Sequence, residues 1–241
     1  MTAIQTLDLC KSYGDRKAVN SLSLTVMQGE IFSLLGVNGA GKTTTIKMLA
    51  CLTSPTAGDA LIMGKSIVRD ASAVKSLIAL SPQETAVARA LSARENLRLI
   101  CGVHGFDKSK SRDRIDELCE LLGLESIMER KAGKLSGGWQ RRLSIAMALI
   151  SEPQVLFLDE PTLGLDVIAR SELWDIIRAL KGKTTVILTT HYMEEAEALS
   201  DRIGIMGEGR LLVCDSAQAI KQKAQTSSFE QAFVRIVKGE I

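Results

Sequence analysis

Short apolar runs separated by amphipathic stretches are the main pattern of this chain. Three of the runs, residues 31–35, 155–158 and 186–188, are apolar at nearly every position, which is typical of strands buried on both faces of a sheet. In residues 21–26, apolar side chains instead alternate with Ser and Thr, which predicts a half-buried strand. The other predicted strands are residues 60–63, 77–80, 203–206 and 211–214, the last two joined by a hairpin at 207–210.

Helical spacing of apolar residues dominates the middle of the chain, from residue 93 to residue 150. Leu97, Ile100 and Cys101 share one helical face there, and a second stretch near residues 112–122 is apolar on one face and charged on the other. The other predicted helices are residues 43–52, 141–150, 169–180 and 193–199. Since strands and helices alternate after Pro153, the pattern predicts an α/β protein with a parallel sheet and an inserted helical block.

Composition narrows the functional classes. The 241 residues include 30 Lys and Arg and 28 Asp and Glu, so the formal net charge is only +2 and indicates no nucleic-acid partner. No segment approaches the roughly 18 apolar residues of a membrane-spanning helix, and residues 1–9 do not resemble a secretory signal. The five cysteines form no C-x-x-C pair, which favours reduced thiols over a metal or disulfide role.

A phosphate-binding motif follows the first apolar run. Residues 36–43 read GVNGAGKT, which matches the G-x-x-x-x-G-K-[ST] loop of nucleoside triphosphatases. Its glycines let backbone N–H groups approach phosphate oxygens, Lys42 can reach the β- and γ-phosphates, and Thr43 offers a hydroxyl to Mg²⁺. The predicted helix that follows would direct its positive N-terminal end at the anion. The residues predicted to bind the nucleoside triphosphate here, which the resemblance described below implies is ATP, are Gly36, Val37, Asn38, Gly39, Ala40, Gly41, Lys42, Thr43 and Thr44.

Two acidic residues, Asp159 and Glu160, end the apolar run at 155–158. In an enzyme with a phosphate-binding loop, Asp159 would hold Mg²⁺ directly or through water. Glu160 would polarise the attacking water as a general base. Taken alone, the pattern also fits a strand that stops at a solvated acidic turn.

A second glycine-rich segment lies in the helical block, where residues 135–140 read LSGGWQ. A serine and two adjacent glycines before a predicted helix form an anion-binding end. Because the chain already has one phosphate loop, this second one suggests that it serves another molecule's nucleotide.

These motifs, in this order, resemble the nucleotide-binding subunit of ABC (ATP-binding cassette) proteins, and the resemblance runs from Leu7 to about Cys214. It implies a P-loop NTPase core with an antiparallel β subdomain and an inserted α-helical subdomain. The implied divisions of this single domain, residues 1–241, are a core of residues 1–83 and 151–215, a helical signature subdomain of residues 84–150 and a short helical tail of residues 216–241. One departure is Trp139, where the family commonly has Gln; we expect anion binding to survive and Trp139 to pack at a subunit interface.

The resemblance also implies roles for isolated residues. Tyr13 matches the aromatic residue that stacks on adenine, and Gln83 matches the glutamine that senses Mg²⁺ and the attacking water. His191 matches the switch histidine at the γ-phosphate, and Asp166 matches the carboxylate that couples two sites across a dimer. For a lone Tyr, Gln or His the ordinary structural roles remain open, and Asp166 could simply cap the following helix. His104 has no motif around it and is interpreted as a loop residue.

For the working assembly, the resemblance implies two cassettes arranged head to tail. Each ATP, with Mg²⁺ held at Thr43, Gln83 and Asp159, would lie between the phosphate loop of one chain and the signature residues of the other. The signature residues that would contact the partner's ATP are Ser136, Gly137 and Gly138. The second cassette would be another copy or a homologous ATPase subunit. Hydrolysis at Glu160 would let the dimer open.

The predicted function is an ATPase subunit that powers transport, in the direction of export, at the cytoplasmic face of the cell membrane through separate transmembrane permease subunits. Residues 84–103 are the predicted docking surface. The export assignment rests on resemblance to the ABC-2 subgroup at residues 160–166 (EPTLGLD), 191–197 (HYMEEAE), 201–203 (DRI) and 228–233 (SFEQAF).

Two other classes of protein are alternatives to this prediction. The alternative is a soluble single-cassette ABC ATPase on a scaffold complex, for example in iron–sulphur assembly. Translation-type members usually carry two cassettes and chromosome-type members carry long coiled coils, and neither feature is present. A GTPase is disfavoured because the chain lacks an N/TKxD guanine motif.

Overall fold

The computed structural model describes residues 1–240 and consists of two β-sheets with flanking helices. The strands are β1 (Thr2–Tyr13), β2 (Arg16–Leu22), β3 (Thr25–Met27), β4 (Ile31–Leu35), β5 (Ala57–Ile62), β6 (Lys65–Ser66), β7 (Ile78–Ser81), β8 (Val155–Asp159), β9 (Thr185–Thr190), β10 (Arg202–Gly207) and β11 (Arg210–Asp215). The α-helices are α1 (Lys42–Leu49), α2 (Ala71–Lys75), α3 (Ala93–Val103), α4 (Lys108–Leu122), α5 (Gly137–Leu149), α6 (Val167–Ala179), α7 (Met193–Leu199), α8 (Ala217–Lys223) and α9 (Phe229–Val237).

The larger sheet has six strands in the order β11-β10-β4-β9-β8-β7. All neighbours are parallel except β10 and β11, which form an antiparallel hairpin. Every residue of β4, β8 and β9 is buried, as expected for strands that are covered on both faces. The parallel sheet and the α/β class predicted from the apolar runs are therefore confirmed.

The smaller sheet has five strands and is antiparallel. Its order is β2-β1-β5-β6, with β3 also paired to β1. One apolar core lies between this sheet and the larger one and encloses α1, with Phe32, Phe157 and Ile46 among its buried members. The phosphate-loop helix is thus held between two sheets, which fixes the direction of its N-terminus.

The helical block, α3 to α5, lies between β7 and β8 in the chain. Its buried residues form one core with the opposite face of the larger sheet, including Leu97, Leu118, Leu143 and Leu158. A capping box starts α3, in which the Ser92 hydroxyl accepts from Glu95 N and the Glu95 carboxylate accepts from Ser92 N. Among residues 1–240, no helix is both long and apolar enough to cross a lipid bilayer.

The strand predicted over residues 21–26 is wrong as a single element. β2 ends at Leu22 and β3 begins at Thr25. The chain changes partner segments there, because β2 pairs with the second half of β1 and β3 pairs with its first half. Between them, Leu24 N donates to the Thr6 hydroxyl at 2.8 Å and Thr6 N donates to Leu24 O. Alternation of apolar and polar residues continues across this exchange, so the pattern alone could not show it.

Strand β1 and helix α5 also differ from the prediction. The 12-residue strand β1 has no regular apolar alternation and was not predicted. Helix α5 begins at Gly137 rather than Arg141, so the glycine pair forms the first turn of the helix instead of preceding it. The Gln140 N–H already donates to Ser136 O at 3.0 Å. Glycine weakens helix prediction, but it is tolerated at a helix N-terminus.

The last two helices pack on the edge of the larger sheet. Phe229 and Phe233 of α9 join Leu35, Ile203 and Ile205 in a separate apolar core, to which Met193 of α7 is also packed. The Ser228 hydroxyl caps α9 by accepting from Gln231 N at 3.3 Å. The tail therefore supports both the sheet edge and the helix that follows His191.

We expect Phe233→Ala to lower the free energy of unfolding by about 3 kcal/mol, because a side chain only 9% exposed would leave a cavity. The matched control is Val234→Ala on the same helix, which is 41% exposed and should cost less than about 1 kcal/mol. Urea unfolding of the two variants measures the difference. Equal midpoints for the two variants would contradict the packing role of α9.

Candidate functional site

The phosphate-binding loop connects β4 to α1, and its glycines occupy positions where a side chain does not fit. Gly39 and Gly41 have φ values of +84° and +102°. A Cβ at Gly41 would lie 2.4 Å from Ala18 O, and a Cβ at Gly36 would lie 2.5 Å from Met206 O. The glycines are required by the conformation and the close packing of the loop, which leaves its backbone amides uncovered by side chains.

The Lys42 side chain folds back along this loop and is buried. Its Nζ donates to Gly36 O at 2.7 Å and to Val37 O at 3.4 Å. The same Nζ lies 3.4 Å from Glu160 Oε1. The loop therefore presents one ammonium group whose charge is shared between two carbonyl oxygens and one carboxylate.

Asp159 lies at the carboxyl end of β8, next to the first turn of α1. Its Oδ1 accepts hydrogen bonds from the Thr43 hydroxyl at 3.0 Å and from the Thr189 hydroxyl at 2.6 Å. A hydroxyl beside a carboxylate is a donor set that suits Mg²⁺, which commonly takes one or two protein oxygens and completes its octahedron with phosphates and water. Residues 1–240 contain no group of three or more His, Cys, Asp or Glu side chains placed to hold a metal ion by themselves. Thr43 and Asp159 together could hold such an ion alongside the phosphates of a nucleotide.

Glu160 has a left-handed backbone conformation, with φ of +48°, which is uncommon for a residue with a side chain. Its N–H donates to the Thr189 hydroxyl at 3.0 Å, which holds the turn. Its Oε2 lies 2.8 Å from His191 Nδ1, so the carboxylate contacts both His191 and Lys42. Tyr192 lies beside this histidine, with ring centroids 4.1 Å apart.

Most of the predicted ATP-site residues line one cavity of about 580 Å³. The predicted residues that line it are Tyr13, Asn38, Gly39, Ala40, Gly41, Lys42, Thr43, Thr44, Gln83, Glu160 and His191. Gly36, Val37 and Asp159 do not line the cavity, but each accepts a hydrogen bond from a residue that does, Lys42 or Thr43. Three further lining residues, Arg16, Ala18 and Leu163, were not predicted as site residues.

The Tyr13 ring is 52% exposed and lies at the end of the β1–β2 hairpin. Lys11 Nζ lies 5.1 Å from the ring centroid, close enough for a cation–π contact. An exposed aromatic ring at the rim of a polar cavity suits stacking on a planar base.

Gln83 lies on an exposed stretch after β7, and the buried Arg141 of α5 holds its backbone. The Arg141 guanidinium donates to Pro82 O at 2.6 Å and also to Gln83 O. Burial lowers the pKa of Arg141 below its ordinary value, while the nearby carboxylates of Asp159 and Glu195 oppose that shift. Arg141 thus connects the helix of the LSGGWQ segment to the Gln83 loop. The sequence did not indicate this role, because Arg141 lies just after the motif.

Glu195 is a second buried charged residue that the sequence reasoning missed. Its carboxyl on α7 is fully buried and accepts from Trp174 Nε1 at 3.3 Å. Burial raises the pKa of Glu195 above its ordinary value, because the charged form is poorly solvated. The only sequence signal is a Glu on the apolar face of an amphipathic helix, four residues after His191.

The signature residues lie away from the cavity of their own chain. Ser136 and Gly137 are exposed at the N-terminus of α5, and neither they nor Gly138 line that cavity. A Cβ at Gly138 would lie 3.1 Å from Ala169 Cβ, so this helix end packs closely on the start of α6. Asp166 caps α6 by accepting from Ala169 N at 2.9 Å, which is the structural role left open for it.

Trp139 packs within its own chain, against the core of the helical block, and stays half-exposed, so its packing at a subunit interface remains a prediction. The Arg142 guanidinium lies 4.7 Å from the ring centroid and forms an ion pair with Glu172. The large ring is accommodated because it is half-buried and covered by this arginine. The two glycines before it keep their positions at the helix N-terminus.

Comparison with known proteins agrees with this geometry. Residues 19–163 match the family described as "ABC transporter". A daunorubicin resistance ATP-binding protein, DrrA3, from Streptomyces coeruleorubidus is 44% identical over 221 residues, which are 91% of this chain and 70% of that protein. A Nod factor export ATP-binding protein I from Rhizobium sp. is 43% identical over 220 residues, which are 90% of this chain and 72% of that protein.

Longer relatives contain the same unit as a part. The human phospholipid-transporting ATPase ABCA3 is 42% identical over 209 residues, which are 87% of this chain but 12% of that protein. A solved structure described as the ATP binding subunit of an ABC transporter superposes with a TM-score of 0.86 at 27% identity, and covers 98% of this chain and 99% of its own. The chain belongs to the ABC transporter family, as an ATP-binding subunit with ATPase activity.

Proposed function

We propose that this chain hydrolyses ATP to power export through separate membrane subunits, and that each ATP lies between two cassettes arranged head to tail. The observation that carries the proposal is the convergence of Lys42, Glu160 and His191 on one cavity beside the glycine loop. The second anion-binding helix end, at Ser136, lies outside that cavity and is exposed for a partner.

For nucleotide binding, the Tyr13 ring would stack on adenine and the loop amides from Gly39 to Thr44 would surround the phosphates. Lys42 would move its ammonium group from the carbonyls of Gly36 and Val37 to the β- and γ-phosphates. Thr43, Asp159 and Gln83 would hold Mg²⁺. When bound, the ion would neutralise part of the negative charge on the phosphate oxygens.

For hydrolysis, Glu160 would accept the proton of the attacking water. Its buried carboxylate lies at the cavity wall, and contacts to Thr189 and His191 fix its position. Since His191 Nδ1 faces Glu160, the Nε2 side of the ring is available for the terminal phosphate. One nitrogen of the His191 ring would therefore position Glu160, the proposed general base, while the other would contact the γ-phosphate.

A second cassette, either another copy or a homologous subunit, would complete the site. Ser136, Gly137 and Gly138 would contact its nucleotide with the N-terminal end of α5. Asp166 caps α6, and α6 packs on the N-terminal end of α5. A contact of Asp166 with the other cassette would therefore affect the nucleotide sites of both chains. Removal of the γ-phosphate contacts would then open the dimer, a ligand-driven population shift.

The export assignment rests on the relatives, whose names describe drug resistance, Nod factor export and phospholipid transport. We place the chain at the cytoplasmic face of the membrane, held by transmembrane subunits that dock near residues 84–103. Within that range, Leu99 is 50% exposed and Val103 is 74% exposed, so α3 presents apolar surface to solvent. The proposed divisions are the core of residues 1–83 and 151–215, the helical subdomain of residues 84–150 and the tail of residues 216–241. The uninterrupted run of α3 to α5 between β7 and β8, and the position of α8 and α9 after β11, support them.

We expect Glu160→Gln to stop ATP hydrolysis while ATP still binds at least as tightly as in the wild type. The amide keeps the shape but cannot accept the proton, and it no longer holds Lys42 in an ion pair at 3.4 Å. The matched control, Lys42→Ala, should lose both hydrolysis and tight binding. Phosphate release and calorimetric titration measure the two effects. Normal turnover by Glu160→Gln would disprove its role as the base.

We expect Ser136→Arg to abolish ATP hydrolysis while the monomer keeps its affinity for ATP within about two-fold. The exposed side chain would enter the partner's nucleotide site, not its own cavity. Sizing chromatography of Glu160→Gln with ATP, with and without Ser136→Arg, should show a dimer that the second change removes. Weakened ATP binding by the Ser136→Arg monomer would contradict a role across the dimer.

We expect Leu99→Cys and Val103→Cys, in a chain whose own cysteines are replaced, to crosslink to a membrane subunit. The control is Val68→Cys, which is 55% exposed but lies outside residues 84–103 and should not crosslink. Mass spectrometry of the crosslinked product identifies the partner. Crosslinks only to a soluble scaffold complex would favour the single-cassette alternative over a transporter.

A further inference from the structure

The β1–β2 hairpin places an arginine beside the adenine-stacking tyrosine. Tyr13 and Arg16 are cross-strand partners on either side of the turn residue Gly14, whose φ is +57°. Residues directly opposite each other in an antiparallel pair direct their side chains to the same face. One short hairpin therefore brings an aromatic ring and a guanidinium to the same cavity, and both line it.

The Arg16 guanidinium also approaches the phosphate loop. A Cβ at Gly39 would lie 3.4 Å from Arg16 Nη2, so this group rests against the glycine face of the loop. Arg16 thus lies between the base end of the cavity, at Tyr13, and the amide cradle that begins at Gly39. In a bound nucleotide, the α- and β-phosphates occupy the stretch between the base and the lysine end of the cradle.

In the part of the chain that the structure describes, Arg16 differs from the other cation of the cavity in having no carboxylate paired with it. The lining side chains include two permanent cations, Arg16 and Lys42, and one carboxylate, Glu160. Glu160 lies 3.4 Å from Lys42 and offsets its charge. Within residues 1–240, Arg16 forms no salt bridge, so its charge is not offset by a neighbouring carboxylate.

We propose that Arg16 is a nucleotide-binding residue that contacts the α- and β-phosphates of the bound nucleotide from the β1–β2 hairpin. This inference rests on the proposed ATP site. The planar guanidinium can make paired hydrogen bonds to phosphate oxygens, which an ammonium group cannot. Arg16 would link the base-binding hairpin to the phosphate loop, so that the base and the phosphates are recognised together.

The test compares Arg16→Ala with Lys17→Ala, the neighbouring exposed cation that does not line the cavity. Equilibrium binding of ATP, ADP and adenosine is measured by displacement of a fluorescent ADP analogue. Arg16→Ala should weaken ATP and ADP by about 5- to 20-fold alike, because both keep the α- and β-phosphates. Adenosine binding by Arg16→Ala, and all binding by Lys17→Ala, should stay within about two-fold of the wild type. Arg16→Lys should recover part of the lost affinity, because lysine restores the positive charge but not the paired hydrogen bonds of the guanidinium.

Each result decides between the inference and its alternatives. Unchanged ADP affinity in Arg16→Ala would show that Arg16 is an ordinary solvated surface residue. An equal loss for adenosine and ADP would mean that the change disturbs the hairpin and Tyr13 rather than a phosphate contact. A loss confined to ATP would move the contact to the γ-phosphate and overturn the stated assignment. Absence of ATP and ADP binding in the wild type would instead overturn the proposed ATP site itself.

Discussion

The parallel pairing of β4, β9 and β8 brings the ends of three buried strands to one edge of the larger sheet. Leu35 pairs with Thr190, and Asp159 pairs with Thr189. The phosphate loop after β4, the acidic pair at the end of β8 and His191 after β9 are therefore adjacent, although the chain between them runs through a helical block and several crossover helices. Ligands in sheets of this type bind at the carboxyl ends of the strands for the same reason.

Thr189 occupies the centre of this edge and organises both acidic residues. Its hydroxyl donates to Asp159 Oδ1 and its oxygen accepts from Glu160 N. The left-handed turn at Glu160 turns the chain so that successive carboxylates face different partners, Thr43 for Asp159 and Lys42 with His191 for Glu160. A conformation that costs free energy is thus maintained where it separates the carboxylate beside Thr43 from the carboxylate beside Lys42 and His191.

The helical block is tied to this edge through buried polar groups rather than by apolar packing alone. Arg141 donates to the carbonyls of Pro82 and Gln83, and its own helix begins at the signature glycines. Glu195 on α7 binds Trp174 of α6, so the helix after His191 is fixed to the helix that Asp166 caps. Such contacts hold these helices in place relative to this edge of the sheet, because buried charged groups tolerate little separation from their partners.

Local chemistry was readable from the sequence because each motif is a short segment at the end of a strand or the start of a helix, with its residues at fixed spacing. The phosphate loop, the acidic pair, the signature glycines and the α/β alternation all belong to this kind, and the ABC resemblance follows from their order. The sequence could not show that Thr43 and Asp159, 116 residues apart, are hydrogen-bonded, or that Glu160 lies between Lys42 and His191. It also left Arg141, Glu195 and Arg16 unmarked, and it predicted one strand where the chain changes partner segments between β2 and β3. These features depend on strand order and on which helix covers which face, and they are decided by the burial of apolar surface over the whole chain rather than by any local pattern.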